Sequence, residues 1–252
     1  MGAMRALLPR AELEIDVHAF YAADWLDTGG VRANFISSAD GAVTVGGLSG
    51  GLQTPGDNRV FAALRDLADV VLVGAGTARA EGYRAIRLGE QRLATRRRFG
   101  LAPALPVAVV SRSLRLDPEA SLFADAEPQA RTIVITCEAG DPVVRAALEH
   151  AAEVIICGDT DVEVGLARSA LFERGLRRVL AEGGPTLFAD LAHGGVLDEL
   201  CLSVAPILAG PGAGRISGGA IWPVTAGERH ALRLAGLLEE DGALFCRYAV
   251  VR

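Results

Sequence analysis

The stretch LAEGGPTLFADL, Leu180 to Leu191, decides how this chain is read. An apolar run, RRVLA, stops at Glu182; Gly183, Gly184 and Pro185 follow, and apolar residues then recur at helical spacing. A strand that ends in glycines and passes into a helix is the crossover unit of an open parallel sheet. In such sheets ligands bind beyond the carboxyl ends of the strands. Glycine lets backbone approach a ligand closely. The helix that follows offers free N–H groups and the positive end of its dipole, which suits phosphate. Pro185 fits the first turn, where its missing donor is harmless.

Working outward, the same arrangement recurs. GAGT, Gly74 to Thr77, follows the apolar run VVLV, and CGDT, Cys157 to Thr160, follows EVII. GAGT is not the GxGxxG dinucleotide fingerprint, since position 79 is Arg. Three glycine turns at strand ends nonetheless point to a nucleotide or dinucleotide site. VVSRS adds Ser111 and Arg112 immediately after another apolar strand. A serine and an arginine there can hold a phosphate monoester by charge-assisted bonds, as the 2′-phosphate of NADP requires; an ordinary surface arginine is the alternative.

The rest of the chain alternates in the same way. Strands are expected at 31–36, 70–73, 107–110 and 132–137, and helices in PGDNRVFAALRDLA, with Asp57 as N-cap, and in DPVVRAALEHA, with Asp141 capping and Pro142 at the first position. A third helix, DVEVGLARSALFERG, ends at Gly175. DELCLSVAPIL reads as a long strand near the sheet edge, which invites pairing with a second copy. The C-terminal segment reads as two strands around Glu240-Asp241-Gly242. The arginine-rich stretch from Glu81 to Pro106 reads as a loop with a short helix, with Arg92, Arg96, Arg97 and Arg98 on a solvated face. The fold class is α/β: a mostly parallel central sheet with helices on both faces and antiparallel C-terminal strands. Residues 1–30 form an irregular or partly helical lead-in, and residues 31–252 a single domain.

Composition narrows the chemistry. The chain has 252 residues, 50% hydrophobic, with a net charge of -6, which argues against nucleic acid as the main partner. Mean hydropathy is +0.30, yet charge-free runs such as 200–214 are broken by Ser203, Pro206, Gly210, Pro211 and Gly212, so no membrane span is expected. The first residues carry charge early and do not read as a secretion signal; the expected location is the cytoplasm. Cys137, Cys157, Cys201 and Cys246 are far apart in apolar runs and read as buried free thiols, with no metal site. All 25 basic residues are arginine. The absence of lysine removes Schiff-base, Walker-type and Ser-x-x-Lys chemistry, and leaves phosphate to arginine, hydroxyls and backbone N–H groups.

Together, NFISSADG (34–41), LRDLADVVLVGAGT (64–77), VVSRSLRL (109–116), LAEGGPTLFADL (180–191) and LDELCLSVAPILAG (197–210) resemble, in order and spacing, the riboflavin-pathway pyrimidine reductase family, whose fold is dihydrofolate-reductase-like. The resemblance covers most of the chain from residue 31. It implies NADPH as cofactor, with Gly74, Gly76, Thr77, Gly158, Gly183, Gly184, Pro185, Thr186 and Leu187 lining it and Ser111 and Arg112 selecting its 2′-phosphate. It implies a substrate side made of Asn34, Ser38 and Gly41 together with Glu81, Tyr83, Arg84 and Arg87. It also implies a homodimer. The zinc deaminase signature of the family's bifunctional members is absent, so the chain reads as the reductase module alone. Two segments depart from the pattern: Ala42 stands where the family commonly has lysine, and AEGYRAIR (80–87) replaces an acidic, proline-containing run.

The implied reaction is hydride transfer to sugar C1′ of 5-amino-6-(5-phosphoribosylamino)uracil in its open imine form. Asp40 and Glu182 are the candidate catalytic carboxylates; Asp40 could equally close an Asx turn ahead of Gly41. The departures in the substrate segments leave dihydrofolate or another pterin-like compound as an alternative small-molecule substrate. A dinucleotide-binding protein without turnover is the alternative of a different class.

Overall fold

A computed structural model describes residues 3–212, 214–218 and 231–251. His230 therefore lies outside the described residues. The elements run in the order β1 (Arg5–Leu8), α1 (Val17–Ala22), α2 (Trp25–Thr28), β2 (Gly30–Ser38), α3 (Pro55–Asp66), β3 (Val70–Gly74), α4 (Ala75–Ala80), α5 (Glu90–Arg98) and β4 (Val107–Val110). There follow α6 (Ser121–Ala124), β5 (Ile133–Thr136), α7 (Pro142–Ala151), β6 (Glu153–Ile156), α8 (Val164–Glu173), β7 (Arg178–Ala181), α9 (Pro185–His193), β8 (Glu199–Ala205), β9 (Leu232–Glu240) and β10 (Ala243–Val250).

The strands form one sheet in the order β1-β9-β10-β8-β2-β7-β3-β4-β5-β6. From β8 to β6 every neighbouring pair is parallel. The last three strands towards β1 are joined antiparallel. The central strands carry continuous Val, Ile, Leu and Ala because both their faces are covered. Val71, Val73, Val107, Val109 and Val134 face α3, α4 and α7, while Val70, Leu72, Ala108, Ile133 and Ile135 face α8 and α9. The expected architecture is the one found.

Local signals set several boundaries. Asp141 caps α7 by accepting from Val143 and Val144, with Pro142 at the first position. Gly175 adopts φ +78° just past α8. The cap of α3 differs from expectation: the Thr54 hydroxyl accepts from the Asp57 N–H, and Pro55 takes the first helical position. Asp57 is thereby moved three residues into the helix and released from capping. The four cysteines are free and buried.

Three further expectations are corrected. The lead-in contributes β1, which pairs with β9. It is held by a buried cluster in which Glu199 accepts from Arg32 at 2.6 Å and from Arg247 at 2.8 Å. The Arg32 guanidinium also lies 4.1 Å from the Trp25 ring centre. Strand β8 is not at an edge: it is enclosed by β2 and β10, because the C-terminal hairpin folds back beside it. Its apolar length reflects burial, and it cannot pair with a second copy. Arg96 is fully buried rather than solvated, and donates to the carbonyls of Asp66, Ala68, Ala102 and Ala104. Among the described residues no helix is long and apolar enough to cross a membrane.

Candidate active site

Strand order creates the site. The chain leaves β2, skips one place to β3, and proceeds outward to β6 before β7 fills the gap between β2 and β3. This reversal opens a crevice at the carboxyl ends of β2, β7 and β3. A cavity of about 680 Å³ lies there, walled by β2, α3, the 43–53 loop, the 77–87 segment and the 182–185 turn.

Glu182 is the central group. It follows β7 with its side chain only 1% exposed. Arg65 of α3 grips it with two parallel bonds, Nε to Oε1 and Nη2 to Oε2, each 2.6 Å. The Tyr83 hydroxyl donates to Oε2 at 3.0 Å. The Arg65 guanidinium also lies 4.3 Å from the Phe61 ring centre. Burial pulls the Arg65 guanidinium down, but the Glu182 carboxylate outweighs it and leaves the group above its ordinary value. Burial, then the Glu182 charge, pushes the Tyr83 phenol far up, so it stays protonated. A fork-to-fork arginine–carboxylate pair is both strong and directional. Nothing in the sequence around Arg65 marks it, since α3 reads there as an ordinary packing helix.

The glycine turn beside Glu182 is shaped by conformation. Gly183 and Gly184 adopt φ +118° and +46°, and a Cβ on Gly184 would stand 2.8 Å from the Thr77 hydroxyl. The Gly74 N–H donates to the Gly183 carbonyl at 3.3 Å, tying the GAGT and EGG turns together. Thr77, Gly183, Gly184 and Pro185 line the cavity, and no side chain caps the N-terminus of α9. Its N–H groups are left for a ligand. Leu187 is packed into the core under this turn, and Thr186 and Gly76 are exposed outside the cavity lining.

On the substrate side, Asn34, Glu81, Tyr83, Arg84 and Arg87 all line the cavity. The first half of the 80–87 segment is fixed by Tyr83, bound to Glu182, and by Glu81, which accepts from the Ser49 N–H at 3.1 Å. Two residues that the sequence motifs do not mark join them. Asp57 lines the cavity from the first turn of α3 and is 5% exposed. Arg92 lines it from α5, with Nε bound to Asp66 at 2.6 Å, while the other Asp66 oxygen meets His18 Nε2 at 3.0 Å.

Other expected residues sit apart. Asp40 is exposed and outside the cavity lining. It accepts from the Ser38 hydroxyl and from the N–H groups of Ala209 and Gly210, at 3.1 and 2.8 Å. These bonds, Ser38 first, lower its pKa to about 2. Ser38 and Ala42 close the turn around Gly41 by backbone and hydroxyl bonds. Asp40 makes no Asx-turn bond to Ala42, whose N–H goes to Ser38; it ties this turn to residues 209 and 210 instead. At the end of β4, Ser111 is 4% exposed and its hydroxyl has no partner among the described residues. Arg112 is exposed and pairs with Asp161 at 2.9 Å. Gly158, φ +107°, turns the chain beside Asp161. This trio borders the outer strands and does not line the cavity.

Residues 30–236 match the family described as the RibD C-terminal domain. The chain is 30% identical over 182 residues to the 2,5-diamino-6-ribosylamino-4(3H)-pyrimidinone 5′-phosphate reductase of Methanothermobacter thermautotrophicus, covering 71% of this chain and 79% of the relative. A pyrimidine reductase-like protein of Corynebacterium diphtheriae has a crystal structure similar to this one, with TM-score 0.80 and 27% identity over 94% of this chain and 100% of the other. The riboflavin biosynthesis reductase of Saccharomyces cerevisiae shares the fold at 17% identity, with TM-score 0.62 over 95% and 93% of the two chains. The glycine turn at the strand reversal and the match across most of the chain agree: the chain belongs to the RibD C-terminal domain family, and with it to the reductases of the riboflavin pathway.

Proposed function

We propose that this chain is an NADPH-dependent reductase of a phosphoribosylaminopyrimidine, converting the ribosylamino group to a ribitylamino group at C1′. The observation that carries the proposal is the EGG turn: a carboxylate fixed by Arg65 and Tyr83, adjoining two glycines and an uncapped helix N-terminus, all on one cavity. The chemistry supplied by a bound nicotinamide cofactor is the hydride. The residues present suit such a cofactor. Gly183 and Gly184 admit a pyrophosphate against α9 where a Cβ would intrude. The orphaned Ser111 hydroxyl, with Arg112 beside it, suits a 2′-phosphate.

The protein's own contributions are position and charge. Glu182, held in one orientation, stabilises the positive charge of the protonated open-chain imine that accepts the hydride. Asn34 and the walls of the cavity align the heterocycle, and Arg84 and Arg87 offer guanidinium groups to the sugar phosphate. One proton must reach the imine nitrogen for each hydride delivered to C1′. That proton comes from solvent, and Tyr83, kept protonated, holds Glu182 in place instead of giving its own proton up. Asp40, bound into its turn, supports the 206–210 segment instead of the reaction.

The test follows NADPH absorbance with pure protein and the phosphoribosylaminopyrimidine, beside wells with NADH and with dihydrofolate. Rapid oxidation of NADPH but not NADH, with the pyrimidine, is expected. NADPH binding without oxidation of any of these mixtures would leave the protein a dinucleotide binder. Oxidation with dihydrofolate alone would move the substrate to the pterins.

A further inference from the structure

Arg92 lines the cavity from α5, and its placement has a specific cause. Arg92 and Arg96 stand four residues apart, on one face of that helix. Arg96 is fully buried and donates to carbonyls at the end of α3 and just beyond it, and to those of Ala102 and Ala104. These bonds fix α5 across the C-terminal end of α3. One turn back, Arg92 meets Asp66, the last residue of α3, with Nε 2.6 Å from Oδ1. The Asp66 side chain is 5% exposed, and its other oxygen meets His18 Nε2 at 3.0 Å. Burial alone would raise the Asp66 carboxyl, but the bonds from His18 and Arg92 outweigh it and hold the group below its ordinary value. A carboxylate only accepts, so His18 Nε2 is the donor of that pair. Each Asp66 oxygen is taken, one by Arg92 and one by His18.

The donors left on Arg92 point to a ligand. A guanidinium presents its N–H groups in a fixed fork, and Asp66 engages the Nε edge. Nη2 is buried and has no partner among the described residues. A buried donor without an acceptor is costly, and an acceptor entering the cavity relieves it. Arg84 and Arg87 differ from Arg92: both are exposed, and Arg87 already stands 3.7 Å from the Asp125 carboxylate. Asp66 follows Arg65 on α3, so the pairs Arg65–Glu182 and Asp66–Arg92 meet the cavity from neighbouring residues. His18 comes from elsewhere. It belongs to α1, ahead of the family match that begins at residue 30. The same helix is docked on α5 by Asp16, its cap, which pairs with Arg98 at 2.7 Å. The His18 ring also stacks on Phe99, with centres 6.3 Å apart.

On the reading of the site as a pyrimidine reductase, we propose that Arg92 seats the sugar phosphate of the substrate, and that Asp66 and His18 are positioning residues that hold Arg92 for it. The lead-in is then a working part of the active site although it lies outside the matched span. A pentose chain with C1′ at Glu182 extends along the cavity and ends in its phosphate at Arg92, whose Nη groups give the phosphate oxygens charge-assisted bonds. His18 acts at one remove, by keeping the Asp66 carboxylate turned towards Arg92. Arg84 and Arg87 add positive charge that draws the phosphate in without fixing its position. The phosphate takes no covalent part in the reduction, so the cluster governs KM and leaves kcat to the reacting end.

The experiment uses the full chain and reads KM and kcat for the phosphoribosylaminopyrimidine with NADPH. In parallel, calorimetry reads the Kd of the ribitylamino product with and without its 5′-phosphate, which needs no turnover. Arg92→Met is expected to raise KM about 10-fold or more, as for loss of a charge-assisted bond, with kcat little changed. It should weaken binding of the phosphorylated product by the same factor and leave the other product unaffected. Arg92→Lys keeps the charge without the fork and should fall between; it carries the comparison if the methionine variant melts too early to assay. His18→Ala is expected to raise KM about threefold, and to add nothing in the Arg92→Met background, because it acts through Arg92. His18→Gln returns a donor to Asp66 and should recover most of the loss. Equal effects of the Arg92 variants on the two products, or none, overturn the phosphate assignment and leave the reductase reading intact. A His18→Ala effect that is absent, that persists in the Arg92→Met background or that glutamine does not rescue overturns the positioning role. Arg92-dependent binding of the phosphorylated product without any turnover overturns the reductase reading and leaves the subsite in place; absence of binding by both products overturns the two together.

Discussion

Replacing Arg65 with methionine isolates the interaction on which the site is built. The change keeps an unbranched apolar stem but leaves Glu182 buried with Tyr83 as its remaining side-chain partner. Removing one member of a buried ion pair costs about 3–5 kcal/mol, since the other charge stays desolvated. The Arg65 side chain is 20% exposed and that of Glu182 1%, which places the expected loss near the lower bound, at about 3 kcal/mol. For a chain of this length each kcal/mol moves Tm by roughly 2–4 °C, so the melt should fall by roughly 6–12 °C. Adding Glu182→Gln removes the stranded charge, so the double variant should melt above Arg65→Met, with a coupling of about 2 kcal/mol in the cycle. Circular dichroism melts of the four proteins decide it. A loss under about 1 kcal/mol for Arg65→Met, or a coupling within ~0.5 kcal/mol of zero, would refute the view that Arg65 fixes Glu182.

Other perturbations read other parts of the molecule. Asp40→Asn should leave kcat unchanged and lower stability at neutral pH. Because the folded pKa, about 2, lies below the ordinary carboxylate value near 3.9, the stabilisation is complete above that value. The gap between the two melts should therefore close as pH falls from about 4 towards 2; a gap constant with pH, or a collapse of kcat, would contradict a role confined to tying the turn to residues 209 and 210. Gly184→Ala puts a Cβ against Thr77 at φ +46° and should cost roughly 1–3 kcal/mol of strain while weakening NADPH binding, read by melting with and without cofactor. Arg112→Ala should raise KM for NADPH at least 10-fold, as expected for a charge-assisted bond of about 1.5–3 kcal/mol, and leave KM for NADH unchanged; equal effects on both cofactors would remove Ser111 and Arg112 from the 2′-phosphate.

What the sequence shows and what it hides follow from the range of each interaction. The apolar runs at 70–73, 107–110 and 178–181, the glycines that end them and the Asp141 cap are local, and each is legible in the sequence alone. The position of β8 is not, because an apolar strand looks the same at an edge or in the middle; the hairpin that covers it arrives some thirty residues later. Arg96 reads as solvated for a related reason. Its burial is satisfied by four carbonyls drawn from two separate segments, and no local pattern announces such a set. The Arg65–Glu182 pair spans 117 residues. Asp57 is nearer to hand: Thr54 followed by Pro55 already marks the cap, and placing it there frees Asp57 for the cavity. The three carboxylates show why residue type alone does not divide the work. Asp40 is exposed, ringed by donors and held strongly ionised. Glu182 is buried, with both oxygens matched by one guanidinium. Asp57 is buried at the cavity wall, and burial pushes its pKa up. Their chemistry is the same, so their roles are set by how many donors the fold brings to each.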